Sequence, residues 1–257
     1  MTEFTKDIKN MVWSFSRINS YDTCPYGWYL QYLIKQRGEP NFFAESGIAM
    51  HKVLEELEKG IITVEKAPER FNELWNPNFN VRESIIENAY AAQMNYLTSL
   101  TGHELDDYEI LGAEKRYKFE IGGYKFVGMI DLLLRNKDGD IIVVDHKSHK
   151  QLLGKNGKPL KAEEKTFLDY QRQQYIYSVP VFKEYGKYPI KLVWNHFKSG
   201  DLTVVDFDEA RYEEAIQWAL DTIKRIEEDE TFSERKDFFF CHNICGFRNE
   251  CEYLGDE

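Results

Sequence analysis

The chain lacks long apolar runs, is poor in cysteine and has no excess of positive charge, and each shortage excludes something. No hydrophobic stretch approaches the roughly 20 residues a membrane-spanning helix needs. Met1 to Asn10 is too polar for a secretory leader, so a cytoplasmic protein with no membrane partner is expected. Four cysteines in 257 residues cannot form the dense disulfide framework of a small secreted fold. A net charge of −11 argues against a protein that coats nucleic acid indiscriminately. There are no internal repeats, and no linker long or polar enough to divide the chain. What is present, 42% hydrophobic and 15% aromatic residues, suffices for a buried core in a single domain spanning 1–257.

The acid is unevenly spread. Asp206 to Glu230 holds much of it, whereas Lys147 to Lys165 carries six lysines against two glutamates. Such a segment is either a solvated lysine-rich loop or a guide for a phosphate backbone, and composition alone does not choose.

Three strands precede that segment, predicted over Tyr108–Ile121, Tyr124–Arg135 and Asp140–Ser148. Gly122-Gly123 signals a two-residue hairpin turn, and Lys137-Asp138-Gly139 a three-residue loop with Gly139 left-handed. Counting outward from the first turn places Glu114 opposite Asp131; counting from the second places Asp131 opposite Asp145. Opposed residues share a face with Cβ atoms about 5 Å apart, and Lys147, two residues past Asp145, points the same way. Three carboxylates and a lysine on one patch repel unless a cation intervenes, and a hard divalent metal with oxygen ligands would relieve the repulsion.

Helices are predicted after Pro25, over Ala44–Lys59, Glu83–Leu100 and Glu163–Ser178, and after an N-cap at Asp208. Pro180 should kink or end the fourth of these. Two further strands fall at Ile190–Phe197 and Leu202–Phe207. His51 sits at the edge of the stripe Met50, Val53, Leu54 and Leu57, where a lone histidine is usually a packed or surface residue. The Glu83–Leu100 helix, with Ile86, Tyr90, Met94 and Leu97, reads as core packing. The tail is unusual. Cys241, Cys245 and Cys251 crowd into eleven residues, and Cys24 makes a fourth. Four thiolates fit a [4Fe–4S] cluster or a structural zinc, although zinc sites usually come as two close pairs.

These features together resemble the PD-(D/E)XK nuclease superfamily, in particular its RecB-like branch with an iron–sulfur cluster, which includes AddB nuclease domains, CRISPR-associated exonucleases and phage-encoded relatives. Ser14-x-Ser16 with Cys24-Pro25 is similar to the opening motif, and Gly47-x-x-x-His51 to the metal-binding histidine helix. Gly128-x-x-Asp131 and Asp145-x-Lys147 are similar to the two catalytic strand motifs, Gln173-x-x-x-Tyr177 to the helix motif after them, and the terminal cysteines to the cluster motif. Gln171 and Tyr175 offer the same spacing, but Tyr177-Ser178 matches the family's ending better. Three residues separate Cys241 from Cys245 where relatives often have two.

The resemblance implies an α/β fold: a restriction-endonuclease-like core at 108–207 with a mixed sheet flanked by helices, and an iron–sulfur region joining 13–36 to 238–254. It implies a metal-dependent DNA exonuclease of a bacterial cell or phage, acting on single strands or duplex ends beside a helicase or recombination proteins. Asp131, Asp145 and His51 would hold Mg²⁺ or Mn²⁺. Lys147, Glu114, Gln173 and Tyr177 would complete the catalytic set, and Cys24, Cys241, Cys245 and Cys251 would hold the cluster. A DNA-binding module that has lost catalysis is the alternative, and a zinc-stapled structural protein a second.

Overall fold

Two glycine-bearing turns shape the sheet. In the computed structural model, which describes residues 4–39, 42–79, 81–154, 156–235 and 237–253, Gly122 and Gly123 both take positive φ, +56° and +86°. This double left-handed turn joins β1 (Glu109–Ile121) to β2 (Tyr124–Arg135). A Cβ at Gly122 would lie 2.6 Å from Leu220 Cδ2, so the position requires glycine for space as well as for φ. Gly139, at φ +83°, closes the loop to β3 (Ile141–Lys147), with the Asn136 N–H donating to the Asp140 carbonyl at 2.9 Å.

The β2–β3 register is the expected one: Arg135 pairs with Ile141 and Leu132 with Val144. Beyond β3, the chain crosses over through α7 (Glu164–Tyr185) to β4 (Lys191–His196), which runs parallel to β3, with Lys147 across from His196. β5 (Asp201–Asp206) returns antiparallel and completes a mixed sheet in the order β1-β2-β3-β4-β5. Parallel neighbours need such a crossover, whereas antiparallel ones need only a tight turn.

The expected helix ending at Ser178 is corrected. α7 continues past Pro180 for another turn and stops at Gly186, whose φ of +73° caps it with a hydrogen bond from its N–H to the Phe182 carbonyl. Burial of Tyr177, Ser178, Pro180 and Val181 against the rest of the fold outweighs the backbone hydrogen bond that proline removes. The Glu83–Leu100 helix packs into the core through Leu97, with Tyr90 and Met94 partly buried against it as expected, and also buries Ala89 and Gln93.

The chain divides into two compact units. One comprises 42–117 and 129–212. In it, α4 (Phe42–Glu58), α5 (Ala67–Leu74) and α6 (Glu83–Ser99) bury Met50, Val53, Leu54, Phe71 and Leu97 with Phe197. One face of its sheet buries Ala113, Leu132, Leu134, Ile142 and Val144.

The other unit comprises 1–41, 118–128 and 213–257. Besides the short α1 (Thr5–Lys9), it holds α2 (Phe15–Thr23), capped by the Ser14 hydroxyl, and α3 (Pro25–Tyr32), capped by the Cys24 sulfur. Trp28 is fully buried and stacks on Trp13 and Phe232. Most of α8 (Glu209–Glu228) belongs here, and Asp22 ties it down by accepting from Trp218 Nε1 at 2.7 Å. The start of α8 is capped by Asp208, as its sequence suggests. α9 (Phe238–Asn243) leads into the tail, where Glu39 accepts from Arg248 and Asn249. Residue 254, the last of the expected cysteine-bearing segment, lies outside the described residues.

Candidate active site

The α4 stripe that buries Met50 and Val53 leaves His51 half-exposed at its edge. Its Nδ1 lies 3.5 Å from Glu114 Oε1 and 3.5 Å from Asp131 Oδ2. These three side chains are the one group among the described residues whose ligand atoms all fall within 4.8 Å of one another. Glu114 reaches the group through an unusual backbone: its φ is +48°, left-handed for a residue with a long side chain. The turn is tight: a Cβ at Gly112 would lie 3.0 Å from Lys115 Cβ, so a larger residue there would need Lys115 to give way. A strained conformation held at a cluster of ligand-type side chains points to function.

Asp131 is pushed up to about 6, first by burial and then by the charge of Asp145. Its Oδ2 accepts the backbone N–H of His146 at 2.7 Å. Asp145, also buried, is paired with Lys147: Nζ lies 2.6 Å from Oδ2, yet that oxygen accepts no well-directed hydrogen bond from the protein. The ammonium is held from two more sides. Gln173 Oε1 accepts from it at 2.8 Å, and the Tyr170 ring lies below it, 4.4 Å to the centroid. Gln173 also bonds the Tyr177 hydroxyl, whose pKa is pushed up to about 12, mainly by burial.

The expected residues thus meet, with a different division among them. Glu114, expected to orient water, stands with His51 and Asp131, and Asp145, expected as a ligand beside them, stands with Lys147. Of the two Gln-x-x-x-Tyr pairs, Gln173 and Tyr177 reach the lysine side, whereas Tyr175 packs on Phe207 and its hydroxyl accepts the Asp208 N–H. Tyr170 went unforeseen, although it stands one helical turn before Gln173 and could have been found by that spacing. So did a buried set around His146: its Nε2 lies 2.7 Å from Glu58 Oε1, and its Nδ1 3.0 Å from Asn195 Nδ2. Burial opposes charge on this ring, but Glu58, with Asp131 and Asp145, outweighs it and raises the His146 pKa.

The donor set fits a divalent cation: one imidazole and two carboxylates at close range, plus a buried carboxylate oxygen without a well-directed hydrogen bond. The cysteines lie in the other unit. None is disulfide-bonded, and all four line one cavity with Tyr26, Phe240 and Phe247. No three of their sulfurs lie within 4.8 Å of one another among the described residues.

Comparison with known proteins adds a family and a fold. The family model for the PD-(D/E)XK nuclease superfamily matches residues 12–252. No curated protein sequence matches the chain. A solved structure of a candidate exonuclease from Eubacterium rectale superposes with a TM-score of 0.53 at 12% identity, covering 100% of this chain and 95% of that one, which is a likeness of fold. A second solved structure, of SSO0001, gives a TM-score of 0.35 at 19% identity over 80% of this chain and 86% of that one, too slight to argue from.

Proposed function

The chain belongs to the PD-(D/E)XK nuclease superfamily, and we propose that it is a Mg²⁺- or Mn²⁺-dependent DNA exonuclease acting on single strands or duplex ends. The observation that carries this reading is the adjacency of two half-sites. His51, Glu114 and Asp131 form a cation-binding group, and Asp145 holds Lys147 beside it. When bound, the cation polarises the scissile phosphate and makes a water nucleophilic near neutral pH. Asp131 and Glu114 supply the negative charge that retains the ion, and an imidazole ligand shifts preference toward Mn²⁺. Lys147, steadied by Asp145, Gln173 and Tyr170, presents N–H donors where charge builds on the phosphate. Lys150, Lys158, Lys161 and Lys165 are exposed on the segment after β3 and supply positive charge that a strand's phosphates would meet.

The reading extends to the cysteines, proposed as ligands of a [4Fe–4S] cluster. Support comes from the cavity that all four cysteines line. The Gly27 N–H donated to Cys24 Sγ is the kind of contact that tunes such a cluster. Work on DNA ends beside a helicase or recombination protein, in repair or phage DNA processing, is the setting this chemistry suits. No helix of the described residues is long and apolar enough to cross a membrane.

The test is cleavage of 5′- and 3′-labelled single and double strands with Mn²⁺, Mg²⁺ or EDTA. Wild-type protein should release mononucleotides or short products only with metal. Asp145→Ala and Lys147→Ala should each lower the rate by about a hundredfold or more with the fold retained. Unchanged turnover in both variants would sink the assignment, and DNA binding without cleavage in the wild type would mark a binding module instead.

A further inference from the structure

Between the two residues of the Asp145-x-Lys147 motif lies a side chain the reaction has no evident use for. Along a strand, alternate residues face opposite ways, so His146 points away from the Asp145–Lys147 pair. It is 5% exposed and ends in a chain of polar contacts: Glu58 Oε1 at 2.7 Å from Nε2, Asn195 Nδ2 at 3.0 Å from Nδ1, and the Tyr96 hydroxyl at 2.6 Å from that same amide. The four residues come from β3, the end of α4, β4 and α6. A carboxylate, an imidazole and an amide buried together form an expensive arrangement that an apolar packing of equal volume would often match in stability. Glu58 Oε2 accepts no hydrogen bond from the protein, which adds to the cost.

Two contacts tie this set to the cation group. The His146 backbone N–H holds Asp131 Oδ2 at 2.7 Å, and its ring meets the His51 ring edge-on, with centroids 5.9 Å apart. Glu58 stands on the helix that carries His51, two turns on. A pull between Glu58 and His146 therefore fixes α4 against β3 at the point where their side chains must meet.

We propose that the Glu58–His146 pair, braced by Asn195 and Tyr96, is a positioning device that holds His51 and Asp131 ready for the cation. This rests on the reading of His51, Glu114 and Asp131 as the cation group. The device acts through geometry: it sets the direction of an imidazole and a carboxylate before the ion arrives. The residues that orient metal ligands commonly matter about tenfold or more to metal affinity.

The experiment measures Mn²⁺ affinity directly, by the loss of the free-ion electron paramagnetic resonance signal on titration, with the thermal midpoint in EDTA recorded alongside. Glu58→Ala should weaken Mn²⁺ binding about tenfold or more. Glu58→Gln, nearly isosteric and able to accept the same hydrogen bond, should fold and bind severalfold more weakly than wild type but better than Glu58→Ala. If Glu58→Ala does not fold, Glu58→Gln decides alone. Wild-type Mn²⁺ affinity in the folded Glu58 variants, whatever their thermal midpoints, overturns the proposal, because a merely structural pair would shift the midpoint and leave the affinity alone. His51→Ala separates the two readings. If it binds Mn²⁺ like wild type, the cation group itself is wrong; if it loses binding while the Glu58 variants keep theirs, only the positioning device fails.

Discussion

Asp131 shows what the site does to a single residue. Burial and the neighbouring Asp145 carboxylate raise its pKa from 3.8 to about 6. The folded protein therefore binds more protons than the unfolded chain between those values, and stability falls as pH rises through that window. Below about 4 both states are protonated and nothing is lost; above about 6 the whole cost, on the order of 3 kcal/mol, remains. Asp131→Asn should accordingly unfold at a higher temperature than wild type at pH 7.5 in EDTA, and the gap should close as pH falls toward 4. A gap that is constant with pH would contradict the assignment of the shift to this carboxyl. Excess Mn²⁺ should restore the wild type at pH 7.5 by mass action and do far less for the variant. The β2–β3 register was legible from the sequence, because turn lengths translate directly into facing residues. The environment of each carboxyl was not, since burial depends on what lies above the strand.

At the scale of elements, β1 carries the local anomaly. A left-handed Glu114 costs about 1–2 kcal/mol relative to ordinary backbone, and asparagine tolerates that conformation far better. Glu114→Asn should therefore keep or raise the thermal midpoint in EDTA while weakening Mn²⁺ binding about tenfold or more. A drop in midpoint with metal affinity intact would remove Glu114 from the site. α7 is the other element the site depends on. It presents Tyr170, Gln173 and Tyr177 on successive turns of one face, two of them against Lys147. Its sequence spacing is regular and announces the face. Its length was misjudged because Pro180 is a local signal for termination, and tertiary burial of the following turn overrides it.

For the whole molecule, the informative fact is that one compact unit is assembled from three distant stretches, 1–41, 118–128 and 213–257. Such a unit gains most from any link between its ends, because the chain between Cys24 and Cys241 is long and closing it restricts the unfolded state. With a cluster bound by the four cysteines, protein purified without oxygen should be brown, absorb near about 400 nm and contain iron. Cys24→Ser should lose colour and lower the unfolding midpoint together, read by absorbance and by circular dichroism on the same sample. Colourless protein carrying one zinc and no iron would replace the cluster with a structural zinc.

The sequence by itself determined the turns, and through them the β2–β3 register, because Gly-Gly and Lys-Asp-Gly act over two or three residues and admit few backbone conformations. It also determined which helix faces carry His51 and Gln173, since helical periodicity is local. Tertiary structure alone decided that Glu58, Tyr96 and Asn195 converge on His146, and that Tyr170 lies beneath Lys147. Those contacts join elements up to a hundred residues apart, and no spacing along the chain encodes them. They follow from which faces the sheet and helices bury against one another, a matter of total apolar area and shape rather than of any short motif.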